Sequence, residues 1–63
     1  MAPLKPLLTY DEASRLLGVP VNTLYAWVSQ KRIPHVRLSG RMVRFDPEEL
    51  ALWIEARRVS QKT

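Results

Sequence analysis

The stretch TYDEASRLLGVPVNTLYAWVSQKR, residues 9–32, decides the fold, because it carries start and stop signals for two helices in close succession. Thr9 and Glu12 form a T-x-x-E capping box, in which each side chain accepts a hydrogen bond from the other residue's backbone amide. Gly18 then supplies the left-handed residue that commonly ends a helix. These signals predict a first helix over residues 9–17.

A second helix follows after a very short turn and is predicted over residues 20–32. Pro20 suits the first helical turn, and the residue before Pro34 is pushed out of the helical region. At helical spacing the segment has two faces. The apolar face holds Val21, Leu24, Trp27 and Val28, and the opposite face holds Asn22, Tyr25, Ala26, Ser29 and Arg32. Such a helix is suited to pack on a core with one face and to lie against a polar partner with the other.

The next segment predicts a β-hairpin over residues 35–45. Two short strands of alternating character flank Ser39-Gly40, a turn pair in which glycine allows a positive φ. The residues expected to face the core are Val36, Leu38, Val43 and Phe45. The arginines of the hairpin are then expected on the other face, since successive strand residues point to opposite sides.

A third helix is predicted over residues 47–58, because Asp46 is a favourable N-cap and Pro47 suits the first turn. The core is expected to combine the hairpin with apolar stripes from all three helices. Those stripes comprise Ala13, Leu16 and Leu17, then Val21, Leu24, Trp27 and Val28, then Leu50, Trp53 and Ile54. The fold class is therefore mostly α with a small β-hairpin.

The chain has 63 residues, which corresponds to one small domain. We expect this domain over residues 7–58, between an extended arm at residues 1–6 and a flexible tail at residues 59–63. The chain has no cysteine and one histidine, which excludes disulfides and the common zinc sites. Its acidic clusters are explained by helix capping, and no base is placed to activate Thr23 or Ser29 as a nucleophile. We therefore expect neither an enzyme nor a cofactor, metal or small-molecule ligand.

The net charge of +4 is concentrated in one part of the chain. Residues 31–45 carry five cations and no acidic residue, whereas the segments on either side are close to neutral. The five cations are Lys31, Arg32, Arg37, Arg41 and Arg44. A concentrated basic segment is the electrostatic feature expected of a nucleic-acid-binding protein.

The order helix, glycine turn, helix, basic hairpin and helix is the layout of a small winged helix-turn-helix. An α-helix fits the major groove of B-DNA, where amide and hydroxyl groups can recognise base edges. The candidate DNA-binding residues of the second helix are Asn22, Thr23, Tyr25, Ala26, Ser29, Gln30, Lys31 and Arg32. Those of the hairpin, expected at the backbone or the minor groove, are Arg37, Ser39, Gly40, Arg41 and Arg44.

The sequence also resembles a known family over about residues 7–56. The motifs are LTYDEA (residues 8–13), LLGV (16–19), TLYAWV (23–28) and RIP (32–34), followed by Arg44-Phe45 and Trp53-Ile54. Together they are similar to the excisionase/MerR-type DNA-binding domain. The resemblance implies that the second helix enters the major groove and that the hairpin contacts the backbone or the minor groove. Ala26 stands where this family often has a cation, which implies a less basic helix surface.

We expect a sequence-specific double-stranded DNA-binding protein, either an excisionase-like recombination directionality factor or a small transcriptional regulator. Cooperative self-association on tandem DNA sites is expected, because one such domain covers little DNA. The alternative is a protein-interaction adaptor on the same fold, and RNA binding ranks third because the exposed aromatic sheet of many single-strand binders is missing. With no apolar stretch of about 18 residues and no signal-peptide pattern, the expected location is the cytoplasm, on the nucleoid.

Overall fold

The computed structural model describes residues 6–59, and its elements follow the predicted order. They are α1 (Tyr10–Leu17), α2 (Val21–Ser29), β1 (Val36–Ser39), β2 (Met42–Arg44) and α3 (Pro47–Ala56). Three helices with a two-stranded antiparallel hairpin make a winged helix-turn-helix, so the predicted fold class is confirmed. We call β1, β2 and their connecting turn the wing. The predicted arm and tail lie outside the described residues, apart from Pro6 and Val59.

The caps of α1 are those that the sequence predicts. Thr9 Oγ1 accepts a hydrogen bond from the Glu12 amide at 3.2 Å, and Glu12 Oε1 accepts one from the Thr9 amide at 2.9 Å. Gly18 follows the helix with a φ of 72°, and its amide donates to the Ser14 carbonyl at 2.8 Å. Both caps stabilise a helix of 8 residues, which is too short to be stable in isolation.

The second helix is shorter than predicted, since α2 ends at Ser29 rather than at residue 32. Lys31 has a left-handed backbone with a φ of 57°. The Lys31 amide donates to the Val28 carbonyl at 3.0 Å, and the Arg32 amide donates to the Trp27 carbonyl at 2.8 Å. These two bonds form a Schellman motif. The sequence does not indicate the motif, because lysine occupies the position where glycine usually stands.

The other helix boundaries differ from the prediction by one or two residues. Pro20 is the N-cap of α2 rather than its first helical residue, and α3 ends at Ala56 rather than at residue 58. Asp46 is the N-cap of α3 as predicted, and its carboxylate accepts a hydrogen bond from the Glu48 amide at 2.9 Å. None of the helices within residues 6–59 is long and apolar enough to cross a membrane.

The register of the wing places Val36 opposite Arg44 and Arg37 opposite Val43. Directly opposed residues share one face of an antiparallel pair, so Arg37 lies on the same face as the buried Val43. Val36 and Leu38 are 37% and 52% exposed, and the prediction that they face the core is wrong. The reason is the pairing of the strands. Val43 of β2 is buried, and its partner on β1 is Arg37, so Val36 lies on the opposite, exposed face.

The turn of the wing also differs from the prediction. Gly40 does not have a positive φ. Instead, the ladder has an irregularity between Arg37 and Ser39. Such an irregularity takes up an extra residue and bends the strand. The chain therefore reverses direction without the left-handed glycine that the Ser39-Gly40 pair predicts.

The core lies between the three helices and the wing. Its buried residues are Ala13, Leu24, Val28, Ile33, Val43, Phe45 and Leu50, and the partly buried residues packed against them are Leu8, Tyr10, Leu17, Val19, Trp27 and Trp53. The predicted packing of both tryptophans in the core is confirmed. Leu16 is 59% exposed, so its predicted burial is wrong. Tyr10 lies on the core side of α1 instead, since residues 10, 13 and 17 share one narrow stripe.

The segment before α1 pairs with the end of the wing. The Leu8 amide donates to the Phe45 carbonyl at 2.7 Å, and the Phe45 amide donates to the Leu8 carbonyl at 2.9 Å. The two residues form an isolated antiparallel bridge. The sequence does not indicate this pairing, because it joins parts of the chain that are far apart. As a consequence, the first turn of α1 lies beside the wing.

Candidate nucleic-acid interface

The outward side of α2 carries most of the polar groups predicted to contact DNA. Asn22, Tyr25, Ala26 and Ser29 are exposed, and we call these four residues the recognition face. Leu24 and Val28 on the other side of the helix are buried in the core. Thr23 is half-buried. The amide, phenol and hydroxyl groups are therefore held on a helix whose opposite face is anchored.

Three further predicted residues lie in the turn after α2 rather than on the helix. Gln30, Lys31 and Arg32 are exposed. The Arg32 guanidinium donates a hydrogen bond to the Gln30 side-chain oxygen at 3.3 Å. The Schellman motif therefore sets where both cations emerge, at the end of the recognition face.

The wing contributes exposed groups at Arg37, Ser39, Gly40 and Arg41, whereas Arg44 is half-buried. Arg37 Nη1 donates to the Gly40 carbonyl at 2.7 Å, which holds the guanidinium across the turn. Arg44 Nη1 donates to the Val43 carbonyl at 2.8 Å. The register places Arg37 and Arg44 on opposite faces of the wing. The prediction that the wing arginines share one face is therefore wrong.

Tyr10 connects the recognition face with the wing, and the sequence-based site did not include it. Its ring centroid lies 4.3 Å from that of Tyr25 and 5.3 Å from that of Phe45, the latter in an edge-on arrangement. Burial raises the pKa of the Tyr10 hydroxyl, the neighbouring Tyr25 raises it further, and the positive charge of Arg37 opposes the rise. The signal in the sequence is the spacing of Tyr10 with Ala13 and Leu17 on the core stripe.

The carboxylate of Glu12, in the cap of α1, interacts with the charge of a wing arginine. The hydrogen bond from the Thr9 amide lowers the pKa of the Glu12 carboxyl most, followed by the bond from the Thr9 hydroxyl. The charges of Arg15 and Arg44 lower it further. Glu12 is therefore ionised at neutral pH, and Arg44 is the wing arginine whose charge acts on this carboxylate.

The two arginines after α3 have partners on that helix. The Arg57 guanidinium lies 4.0 Å from the centre of a Trp53 ring, in a cation–π arrangement. Arg58 Nε and Glu55 Oε2 form an ion pair at 2.6 Å. Such an exposed pair contributes about 0–1 kcal/mol to stability. Both residues are exposed, and these contacts are local to α3.

The chemistry available at this surface is hydrogen bonding and charge neutralisation. His35 Nδ1 lies 2.8 Å from the Ile33 carbonyl oxygen, a local contact at the start of the wing. Within residues 6–59, no three His, Asp or Glu side chains come together as a metal site. The exposed groups named above are hydrogen-bond donors, acceptors and cations, which suit contacts with bases and phosphates.

The chain matches a known protein family. A family model described as a helix-turn-helix domain matches residues 7–58. No curated protein and no solved structure matches the chain. The matched range includes all three helices and the wing.

Proposed function

The chain belongs to a helix-turn-helix domain family of the excisionase type and is a DNA-binding protein, and from this premise we propose that it binds double-stranded DNA sequence-specifically. The recognition face enters the major groove, and the wing contacts the backbone or the minor groove beside it. Members of such DNA-binding families are typically not enzymes. We propose residues 7–58 as the functional unit, and the match of the family model to the same residues supports this.

The exposed recognition face is the observation that carries this proposal. Asn22 can form two hydrogen bonds to an adenine, and Ser29 can reach a base edge or a phosphate. Ala26 lies between them on the exposed surface, where its small side chain allows close approach to a thymine methyl group. A helix that presents these groups and is anchored by Leu24 fits the width of the major groove.

The cations around the recognition face support the proposed contact of the wing with the DNA backbone or the minor groove. Lys31 and Arg32 emerge at one end of α2, and Arg37 and Arg41 are exposed on the wing. Arginine and lysine contacts to phosphates fix the position of a protein on DNA without recognising sequence. The wing is therefore the part that orients the domain, while α2 discriminates between bases.

The biological role that we propose is that of an excisionase-like recombination directionality factor or a small transcriptional regulator. A domain of this size buries about 600–1,000 Å² of protein surface on DNA. We therefore propose that it binds tandem sites with cooperative self-association between neighbouring copies. Its place of action is then the nucleoid, in the cytoplasm.

Selection of bound duplexes from a random pool, followed by footprinting, tests this proposal. We expect a defined sequence, protection over adjacent turns of the duplex, and a salt dependence with a slope of log K against log salt of about −4, for four or five neutralised phosphates. A slope near zero, together with a protein partner captured by the purified chain, would instead indicate an interaction adaptor.

A further inference from the structure

Two phenol rings, from α1 and α2, pack against each other, and one arginine of β1 lies on the face of the wing that is directed toward the helices. Tyr10 is the first residue of α1, Tyr25 lies on the recognition face, and Arg37 lies on β1. Building on the proposed function, we propose that these three side chains together bind one backbone phosphate of the DNA. This assigns a DNA-binding role to Tyr10 and a phosphate, rather than a base, to Tyr25.

The positions of the two phenol rings are set by packing. The Tyr10 ring lies edge-on against the fully buried Phe45 at a centroid distance of 5.3 Å. The Tyr25 ring then lies 4.3 Å from the Tyr10 ring, and Tyr25 remains 52% exposed. Aromatic rings held in this way lose little conformational freedom when their hydroxyl groups bind a ligand. The site is therefore largely formed before DNA binds.

The position of Arg37 is set by the register of the wing. Arg37 pairs with the buried Val43 and so lies on the face of the wing that is directed toward the helices. One of its nitrogens is bound to the Gly40 carbonyl at 2.7 Å. A guanidinium has five N–H groups in a planar fork, so this bond orients the group and leaves other donors available.

The hydroxyl groups of both tyrosines are available as donors. Neither forms a hydrogen bond to another residue of the described chain, residues 6–59. The pKa of the Tyr10 hydroxyl is raised by burial and by Tyr25, so the group keeps its proton at neutral pH. Val43 and Phe45 are both buried on the face of the wing that carries Arg37, so the Tyr10 ring, which packs against Phe45, lies on the same side of the wing as Arg37. The charge of Arg37 lowers the pKa of the Tyr10 hydroxyl.

The combination of two phenols and one guanidinium selects an anion. Phosphate oxygens only accept hydrogen bonds, and all three side chains donate them. The Glu12 carboxylate in the first turn of α1 has other partners: it is bound to Thr9, and its charge interactions are with Arg15 and Arg44. A backbone phosphate at this junction lies between a helix in the major groove and a wing on the adjacent backbone.

The test uses the full chain and two duplexes, one selected from a random pool and one of mixed sequence. Tyr10→Phe and Tyr25→Phe remove only the hydroxyl groups and keep the packing of both rings. We expect each variant to weaken binding about fivefold to tenfold, by the same factor on both duplexes and with an unchanged salt slope, because no charge is removed. A weakening confined to the selected duplex would indicate a base contact and would overturn the proposal.

The charged member of the site has a matched control. Arg37→Ala is expected to weaken binding to both duplexes and to reduce the steepness of the salt dependence by about 0.9, the value for one phosphate. Arg58→Gln removes the same charge from a residue that pairs with Glu55. We expect this control to leave the salt slope within error of the wild-type value. An equal change in the two variants would mean that only net charge matters.

Combining Tyr10→Phe with Arg37→Ala decides whether the groups share one phosphate. Side chains that bind the same group show coupled effects, so the double variant should lose less than the product of the two single losses. Fully multiplicative losses would assign separate phosphates and contradict the shared site. Wild-type affinity in both Phe variants would also contradict the shared site, but it would leave the proposed function intact. If the wild-type chain bound neither duplex, the proposed function itself would be wrong.

Discussion

The indole Nε1 of Trp53 donates a hydrogen bond to the backbone carbonyl of Arg32 at 3.0 Å. The Trp53 side chain also packs against Trp27, with ring centroids 5.8 Å apart. Through these contacts α3 holds the turn that follows α2. Because Lys31 and Arg32 emerge from this turn, α3 helps to set where two of the cations lie relative to the recognition face.

Trp53→Phe should show the strength of this link. Phenylalanine keeps an aromatic ring at this position but cannot donate to the Arg32 carbonyl, so we expect a loss of about 1–2 kcal/mol in the free energy of unfolding. Urea unfolding followed by circular dichroism measures it. Leu52→Ala is the matched control, because Leu52 lies on the same helix and is 68% exposed; its expected change is within about 0.5 kcal/mol. Equal stabilities for the two variants would contradict the link.

Lys31 is expected to lower the free energy of unfolding and to strengthen DNA binding. Its φ of 57° is costly for a residue with a Cβ and free of that cost for glycine. Lys31→Gly should therefore be about 1 kcal/mol more stable than Lys31→Ala. Both variants lack the charge, so both should show a salt slope that is about 0.9 less steep than that of the wild type. Equal unfolding free energies for the two variants would show that the left-handed turn does not persist in solution.

The two glycines of the chain are expected to differ in their tolerance of alanine. Gly18 has a φ of 72°, and a Cβ added there would meet nothing within 4 Å, so strain in the backbone is the sole cost. We expect Gly18→Ala to lose about 1–2 kcal/mol of stability. A Cβ at Gly40 is equally unhindered, and its φ is not positive. Gly40→Ala should change the unfolding free energy by less than about 0.5 kcal/mol in the same urea titrations.

The capping box of α1 predicts a pH dependence of stability. Because hydrogen bonds from Thr9 lower the pKa of the Glu12 carboxyl in the folded state, the ionised form stabilises the fold. This stabilisation is fully present above the unfolded-state pKa, near 4.5, and is lost as the pH falls through the folded-state value. Below that pH, the melting temperature of the Glu12→Gln variant should therefore decrease less than that of the wild type.

Thermal unfolding measured from neutral pH downward tests this expectation. Asp11→Asn is the control, because it removes a carboxylate from the same turn and leaves the capping box in place. Its melting temperature should decrease with pH as steeply as that of the wild type. A Glu12→Gln curve parallel to both would show that the cap does not govern acid stability.

Base recognition and backbone binding should separate in two alanine variants. Asn22→Ala is expected to relax the preference at one base pair of the selected site, costing about 1–3 kcal/mol there and little on mixed-sequence DNA. Arg41→Ala should weaken binding to all duplexes by a similar factor, because a phosphate contact carries no sequence information. Repeating the random-pool selection with both variants compares them. If the Asn22→Ala variant kept the same sequence preference, Asn22 would not contact a base.

The features that could be predicted from the sequence are those with a local physical cause. Thr9 and Glu12 satisfy each other's amides within one helical turn, and Gly18 adopts the backbone that only glycine adopts without strain. The two faces of α2 follow from helical spacing, and Leu24 and Val28 are buried as this spacing predicts. The exposure of the recognition face was therefore predictable.

The features that were not predicted depend on contacts between distant parts of the chain. The exposure of Val36 follows from its pairing with Arg44, and the position of Tyr10 beside the wing follows from the bridge between Leu8 and Phe45. The turn at Lys31 lies against the indole of Trp53, which comes from a distant helix and donates to the Arg32 carbonyl. No short sequence pattern contains this information.

The sequence by itself determined the number and order of the elements, the caps of α1, the buried face of α2 and the clustering of positive charge. Hydrogen bonds within a turn and the periodicity of apolar residues are sufficient for these. The tertiary structure alone decided which face of the wing is buried, on which side each arginine lies, and that Tyr10 packs against Tyr25. The physical reason is that strand register and ring packing depend on which distant residues become neighbours. In a short apolar strand either face can be buried, and the pairing with the second strand decides which one is.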